Sequence, residues 1–125
     1  MSRAVIKSGA QPRRVMTGAV LRASALLDIT QSALAQILGL SPSTVSRMAN
    51  GTYTLDAEKK EWELGALFVR LFRSLDAVIG SNDAAARGWL NGRNQGLAGR
   101  PIDLIRSAEG LVRVVQYLDC ARGRI

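Results

Sequence analysis

The segment from Gln31 to Gly51 constrains the fold more than any other part of the chain. Its sequence, QSALAQILGLSPSTVSRMANG, has a break at Gly39 between two short stretches of helix-forming residues. A glycine directly after a helix adopts the left-handed conformation without steric cost. Ser41 is a typical N-cap, and Pro42 suits the first helical position. The segment therefore predicts two short helices joined by a tight turn.

The flanking sequence also predicts helices. Residues that favour helix, such as Ala, Leu and Arg, are abundant, and only three prolines occur. Apolar positions recur at spacings of three and four from Val15 to Leu27. Asp56 suits the N-cap of a long helix over Ala57–Ile79. Three shorter helices follow, and their starts are marked by Ser81 or Asn82, by Pro101 and by Ser107. We therefore expect an all-α fold.

The chain has the length of one domain, and we divide it into four segments. We expect a basic flexible arm in residues 1–14, a helix-turn-helix in 15–55, a central helix in 56–80 and a helical region in 81–125. The apolar residues of the central helix are too many for one face. This helix is therefore expected to join two lobes of one chain or to pair with a second copy.

Positive charge is distributed unevenly along the chain, whose net charge is +7. Residues 1–14 carry four basic residues and no acid, and residues 15–80 are balanced. Residues 81–125 carry seven arginines and four acids. The N-terminal segment could supply attraction to DNA phosphates, or the excess charge could merely keep the protein in solution.

The composition excludes several classes of site. The chain has no histidine and one cysteine, which excludes the usual Cys/His zinc sites and the Ser-His and Cys-His nucleophile pairs. No glycine-rich phosphate loop is present. We therefore expect no enzyme activity, no metal and no cofactor. The sequence has no stretch typical of a signal peptide or a membrane helix, so we expect a cytoplasmic protein without membrane contact.

The helix that follows Pro42 has the features of a DNA-reading helix. Ala35, Gly39 and Val45 have the spacing of a helix-turn-helix, in which the second helix enters the major groove. Its outward side chains are short and polar apart from Arg47, whose guanidinium can bond a guanine twice and add about 1–3 kcal/mol of discrimination. The alternative is a plain helical hairpin, since any such hairpin with a glycine turn shares part of this pattern.

With its Ser-Pro start and its Asn-Gly end, the segment resembles the phage-repressor-like, or Xre-type, helix-turn-helix family. The resemblance implies phosphate contacts for Gln31 and Asn50. Pro42 departs from the family, because several members place a base-reading polar residue there. Specificity is then expected from Ser43, Ser46 and Arg47. The complete set of predicted DNA contacts is Gln31, Ser41, Ser43, Thr44, Ser46, Arg47 and Asn50.

Residues 85–123 resemble the toxin-binding domain of the Xre/MbcA/ParS antitoxins. The matching features are Trp89-Leu90-Asn91, Gly99-Arg100-Pro101, Asp103-Leu104-Ile105, Glu109-Gly110 and the apolar run Val114 to Leu118. The resemblance implies a cognate RES-domain toxin that consumes NAD. It also implies that the antitoxin blocks the toxin sterically, represses its own operon and is itself no enzyme.

We expect toxin contacts in the C-terminal tail, which lies just past the last predicted helix, in the loop Asn91–Arg100 and at the start of PIDLI. Pro101 and Leu104 could instead belong to the core, and Trp89 is expected to do so. The tail arginines could bond a carboxylate in the toxin with their forked guanidinium groups, or the tail could be a solvated end. The predicted contacts are Arg100, Pro101, Asp103, Leu104, Arg122 and Arg124.

We also expect a homodimer bound to operator DNA. Palindromic half-sites about 34 Å apart match two copies of a helix-turn-helix, and Ala57–Ile79 is the expected dimer contact. The rival interpretation is a stand-alone dimeric transcriptional repressor without a toxin partner, in which residues 81–125 serve only for dimerisation. A DNA-compaction role is disfavoured by the neutral charge of the helix-turn-helix segment.

Overall fold

The computed structural model describes the backbone of residues 2–123 and the side chains of residues 11–123. The described backbone forms seven helices, so the all-α prediction is confirmed. None of the helices in this part of the chain has the length and hydropathy needed to cross a membrane. The helices are α1 (Ser2–Leu26), α2 (Gln31–Leu38), α3 (Pro42–Ala49), α4 (Lys60–Ile79), α5 (Asp83–Asn91), α6 (Pro101–Leu104) and α7 (Ala108–Ala121).

The capping residues that mark helix starts in the sequence act as caps in the structure. The hydroxyl groups of Thr30, Ser41 and Ser107 each accept a hydrogen bond from a backbone N–H in the first turn of α2, α3 and α7. Asn82 caps α5 in the same way. These local contacts explain why four of the helix starts were predictable.

The first helix begins much earlier than the sequence indicates. The predicted helix starts at Val15 after a flexible arm, whereas α1 starts at Ser2 and contains Pro12. The prediction of the helix start was therefore wrong. The sequence prediction gave weight to Gly9 and Pro12, which disfavour a helix interior, although Ala, Arg, Lys and Gln in the same segment favour helix.

The central helix begins three residues later than predicted because Asp56 forms a turn. The Asp56 carboxylate accepts a hydrogen bond from the N–H of Glu58 at 3.0 Å, and its carbonyl accepts one from Lys59 at 3.1 Å. Lys59 is the N-cap residue of α4 and makes no side-chain cap. The prediction of Asp56 as the N-cap of this helix was therefore wrong.

Helix α4 lies at the centre of the molecule and is covered on both sides. It packs against α1 and α2 on one side and against α5 and α7 on the other, with Phe68, Leu71 and Leu75 fully buried. At Gly65, a Cβ atom would lie 3.0 Å from the Leu55 side chain. The apolar character of α4 is thus explained because the helix joins two lobes of one chain. These buried residues do not support a dimer contact through α4, so the dimer stays a prediction.

Two side chains join the lobes beyond this core. Arg87 of α5 donates a hydrogen bond to the carbonyl of Leu26, at the end of α1, at 3.0 Å. Arg106, just after α6, donates to the Gln36 side chain of α2 at 3.1 Å. These bonds connect the helix-turn-helix half directly to the C-terminal half.

Candidate functional site

The turn between α2 and α3 has the geometry that the sequence predicts. Gly39 has φ 69° and ψ 32°, and its N–H bonds the carbonyl groups of α2. Ala35, Val45 and Met48 are buried between the helices. This packing fixes α3 on α2 and leaves the other side of α3 to the solvent.

The predicted DNA contacts of α3 lie on or near this outer side. Ser43, Arg47 and Asn50 are exposed, while Thr44 and Ser46 are half-buried. Gln31 is exposed at the start of α2 and lines the same shallow cleft as Ala49 of α3. The start of α2 therefore lies beside the C-terminal end of α3.

Ser41 has a defined local role as the cap of α3. Its hydroxyl accepts a hydrogen bond from the N–H of Thr44 at 3.1 Å. It also lies 3.1 Å from the hydroxyl of Ser43 and 2.9 Å from that of Thr44. A direct DNA contact by Ser41 stays a prediction.

Arg47 is held in place by its neighbours. Its guanidinium donates a hydrogen bond to the Thr44 hydroxyl at 3.1 Å, and its Cζ atom lies 5.6 Å from the ring centroid of Tyr53. Its carbonyl accepts hydrogen bonds from Thr52. Part of the conformational entropy that Arg47 would lose on binding a base is therefore already lost in the free protein.

Tyr53 is in turn anchored by a buried carboxylate. The Tyr53 hydroxyl donates to Glu61 of α4, which also accepts a hydrogen bond from the N–H of Asp56 at 2.8 Å. Burial, followed by the hydrogen bond to Glu61, raises the pKa of Tyr53 to about 12. Tyr53 therefore remains a neutral donor at physiological pH. The sequence did not reveal this pair, because a glutamate in the first turn of a helix is usually explained by the helix dipole.

Helix α1 supports the loop that carries Tyr53. The Thr17 hydroxyl accepts a hydrogen bond from the N–H of Leu55 at 2.9 Å and donates one to the carbonyl of Arg13. Arg13 also forms an ion pair with Asp56 at 3.5 Å, while Arg14 is exposed. The side chains of Arg3 and Lys7 lie outside the described residues, so phosphate attraction by the N-terminal segment stays a prediction.

In the C-terminal half, the residues around α6 form one cluster. Arg100 donates to the carbonyl of Asn91 at 2.8 Å and forms an ion pair with Asp103 at 3.3 Å, and both side chains are about half exposed. Pro101 is buried and Leu104 is half-buried. Arg100 and Asp103 are thus accessible to a partner, whereas Pro101 belongs to the core.

Arg122 lies at the other end of α7 from this cluster. It is the C-cap residue of α7, is half-buried and donates to the Ser74 hydroxyl of α4 at 2.9 Å. Leu104 packs at the start of α7, against Gly110, and Gly110 and Arg122 are about 18 Å apart along the helix axis. The predicted contacts therefore do not form one cluster in this structure, and Arg124 lies outside the described residues.

The outer face of α7 connects these two ends and was not predicted as a site. Val112 and Tyr117 are each 38% exposed, although most large apolar side chains of the helix are buried. Tyr117 packs against half-buried Trp89 with ring centroids 6.3 Å apart. The sequence contains a signal for this face, since Val112 and Tyr117 fall outside the buried stripe Leu111, Val114, Val115 and Leu118.

The loop between α5 and α6 is fixed beside this face. Arg113 of α7 donates to the carbonyl of Leu97 at 2.7 Å, and Leu97 itself is buried. Asn94 and Gly99 exchange backbone hydrogen bonds of 2.8 and 3.2 Å across the loop. The loop is therefore held against the edge of α7 that carries Arg113 and Tyr117.

Two comparisons with known families agree with this division into halves. Residues 8–70, about half of the chain, match the Antitoxin Xre-like helix-turn-helix domain. Residues 74–124 match the Antitoxin Xre/MbcA/ParS C-terminal toxin-binding domain. The chain belongs to the Xre/MbcA/ParS antitoxin family. A comparison with curated proteins found no match for the antitoxin.

The two matches meet inside α4, between residues 70 and 74. The antitoxin therefore carries a DNA-binding domain and a toxin-binding domain that share one helix and one core. Both families are typically non-enzymatic. The family resemblance that the sequence motifs indicate is confirmed.

Proposed function

We propose that the antitoxin inhibits a RES-domain, NAD-consuming toxin and represses its own operon. The observation that carries this proposal is the meeting of the two family matches on α4, which gives one chain both binding functions. A neutralising protein that also binds DNA can adjust its own synthesis. We place both activities in the cytoplasm, where operon DNA and NAD are found.

Repression is assigned to the exposed side of α3. Arg47 reads a base, and Ser43 and Ser46 contribute to specificity. Gln31 and Asn50 contact phosphates, and Ser41 and Thr44 contact DNA at the N-terminus of α3, where the helix dipole favours an anion. A homodimer would present two such helices to a palindromic operator with half-sites about 34 Å apart.

Toxin binding is assigned to the surface formed by α6, the preceding loop and the outer face of α7. Arg100 and Asp103 supply exposed charges, and Leu104 contributes its accessible part. Val112 and Tyr117 add exposed apolar area on the two edges of the outer face of α7, and Tyr117 packs against Trp89. Exposed aromatic and apolar side chains rimmed by charge are typical of the centre of a protein interface.

The tail arginines are a separate part of this proposal. Arg122 is bound to Ser74, so it must leave that hydroxyl if its guanidinium is to reach a carboxylate of the toxin. The double variant Arg122→Ala, Arg124→Ala should then neutralise the toxin less well. Full neutralisation by this variant would remove the tail from the proposal and leave α6 and α7 as the contact.

A growth assay tests the proposal as a whole. The protein encoded by the neighbouring reading frame is expressed alone, with the full antitoxin, and with the variants Val112→Asp and Val78→Asp. Val78 is an exposed valine of α4 outside the assigned surfaces, so its variant is the matched control. We expect toxicity that the full antitoxin and the Val78 control relieve and that Val112→Asp relieves poorly. A harmless neighbour, or toxicity that the antitoxin does not relieve, would instead favour the stand-alone repressor.

A further inference from the structure

An open groove lies between α1 and α4 and shares no lining residue with α3 or with the toxin surface of α6 and α7. Among its lining residues, only Arg122 also belongs to the tail proposed above to contact the toxin. The groove encloses about 550 Å³, within the range of about 300–1,000 Å³ that is typical of binding pockets. Its lining comes from α1, α4 and the end of α7, so all three segments would touch an occupant. We call this feature the α1–α4 groove.

The floor of the α1–α4 groove is apolar. Pro12, Val15 and Met16 of α1 face Trp62 and Val69 of α4. Val15 is the most exposed of the large apolar side chains in the described residues, with 61% of its surface accessible. An exposed valine in the middle of an apolar groove indicates a surface that gains stability when it is covered.

Three arginines also line the α1–α4 groove. Arg70 forms an ion pair with Asp119, and Arg122 donates to Ser74, whose hydroxyl donates to the same Asp119. Arg73 is exposed and lines the groove with them. The groove lining therefore carries three guanidinium groups, and the buried Asp119 carboxylate pairs with that of Arg70. This leaves an excess of positive charge beside the apolar floor.

We propose that the α1–α4 groove binds an amphipathic acidic helix of a partner protein. Apolar side chains at helical spacing would cover Val15, Met16 and Trp62, and carboxylates of the same helix would bond Arg73 and the outer face of Arg70. Guanidinium groups bond carboxylates through two parallel hydrogen bonds, which gives such a contact direction as well as strength. Helices that place an apolar face in a groove are a common mode of peptide recognition.

Charge argues against a second copy of the antitoxin as the occupant. Helix α1 contains no acidic residue between Ser2 and Leu26. The groove lining carries Arg70, Arg73 and Arg122 and no acidic residue, so two copies packed through this face would bring like charges together. DNA is also a poor match, because phosphates complement the arginines but not the apolar floor.

The test is a selection from a displayed library of short helical peptides with one randomised face, using the full-length antitoxin as the target. The sequence preferences of the enriched peptides are read first. A representative peptide is then labelled, and its affinity is measured by fluorescence anisotropy for the wild type and for Arg73→Glu, Val15→Gln and Arg93→Glu. Arg93 is exposed in the C-terminal half and gives the same change in net charge as the Arg73 variant.

We expect enriched peptides with apolar residues three and four apart and an acidic end. Arg73→Glu should weaken binding by about tenfold or more, and a peptide with lysine in place of the acids should then bind Arg73→Glu better than the wild type. Val15→Gln should weaken both peptides, and Arg93→Glu should change neither.

Several results would overturn the proposal. The first is enrichment of peptides without an acidic preference, or binding that Arg73→Glu leaves unchanged. The second is a dimer in sedimentation that Val15→Gln dissociates, since that would assign the groove to a second copy. The third is displacement of the peptide by a fatty acid such as decanoate, which would indicate a small-molecule site.

Discussion

At the residue scale, Arg47 is positioned for base contact by a chain of neighbours that ends in α4. Thr44 and the ring of Tyr53 hold its guanidinium, and buried Glu61 holds the Tyr53 hydroxyl. The sequence predicted Arg47 itself, because its position in the helix-turn-helix is local information. It did not predict Tyr53 and Glu61, because their contact depends on burial between two segments.

Replacement of Arg47 by alanine tests its role in base recognition. We expect Arg47→Ala to relax sequence preference at one position of the operator by about 1–3 kcal/mol, since a bidentate guanine contact would be lost. Selection from randomised DNA with the wild type and the variant measures this preference. The control is Arg93→Ala, and unchanged preferences for Arg47→Ala would remove Arg47 from base readout.

The raised pKa of Tyr53 predicts a dependence of stability on alkaline pH. The ordinary pKa of tyrosine is 10.0, and that of Tyr53 in the folded protein is about 12. As pH rises, the unfolded chain therefore loses this proton before the folded protein does. The contribution of the Tyr53 hydroxyl to the free energy of unfolding is fully present below pH 10 and is lost as pH rises through about 12. Urea unfolding of the wild type and of Tyr53→Phe should show that the variant lacks this part of the pH dependence. Tyr117→Phe should retain it, and identical pH profiles for all three proteins would contradict the assignment.

At the scale of the elements, side-chain caps explain four helix starts, and a hydrogen bond over five residues accompanies the exception at α4. Thr30, Ser41, Asn82 and Ser107 were predictable as caps, since each bonds an N–H only three residues ahead. The start of α4 was not predictable, because Glu61 reaches back to the N–H of Asp56. The same limit applies to the toxin-binding region, where pairing of α6 with α7 buries Pro101 and leaves Val112 exposed.

The packing of α6 on α7 depends on the absence of a side chain at Gly110. A Cβ atom there would lie 1.9 Å from the carbonyl oxygen of Leu104. We expect Gly110→Ala to lower the free energy of unfolding by about 3 kcal/mol or more, since backbone would have to move. Gly88→Ala is the matched control, because a Cβ there meets no atom within 4 Å and should add about 0.5–1 kcal/mol to helix stability. Thermal unfolding compares the two, and equal stability of both variants would contradict the packing described.

The contact between α7 and α4 depends on buried Asp119. Its carboxylate bonds the fully buried Ser74 and pairs with Arg70. Asp119→Ala should lower the free energy of unfolding by about 1–3 kcal/mol, because Ser74 loses its acceptor. The control is Asp103, which forms an exposed ion pair with Arg100. Asp103→Ala should change the free energy of unfolding by no more than about 0.5 kcal/mol. Urea unfolding measures both, and a neutral Asp119→Ala would show that the network does not hold α7.

At the scale of the whole molecule, the two family domains share α4 and one hydrophobic core. Phe68, Leu71 and Leu75 of α4 are fully buried. Two arginines of the C-terminal half, Arg87 and Arg106, donate hydrogen bonds to the helix-turn-helix half. The sequence predicted both halves, because each contains its own motif. It left open whether α4 joins two lobes or two copies, because apolar residues on a helix do not identify what covers them.

The central claim is that one chain binds DNA through α3 and toxin through the surface of α6 and α7. The most direct test is a gel-shift measurement with DNA from upstream of the gene and the purified protein of the neighbouring reading frame. We expect Arg47→Ala to weaken specific DNA binding and keep the toxin, and Val112→Asp to lose the toxin and keep DNA binding. Loss of both activities in either variant would contradict the claim. So would a neighbouring protein that binds neither the wild-type antitoxin nor its variants.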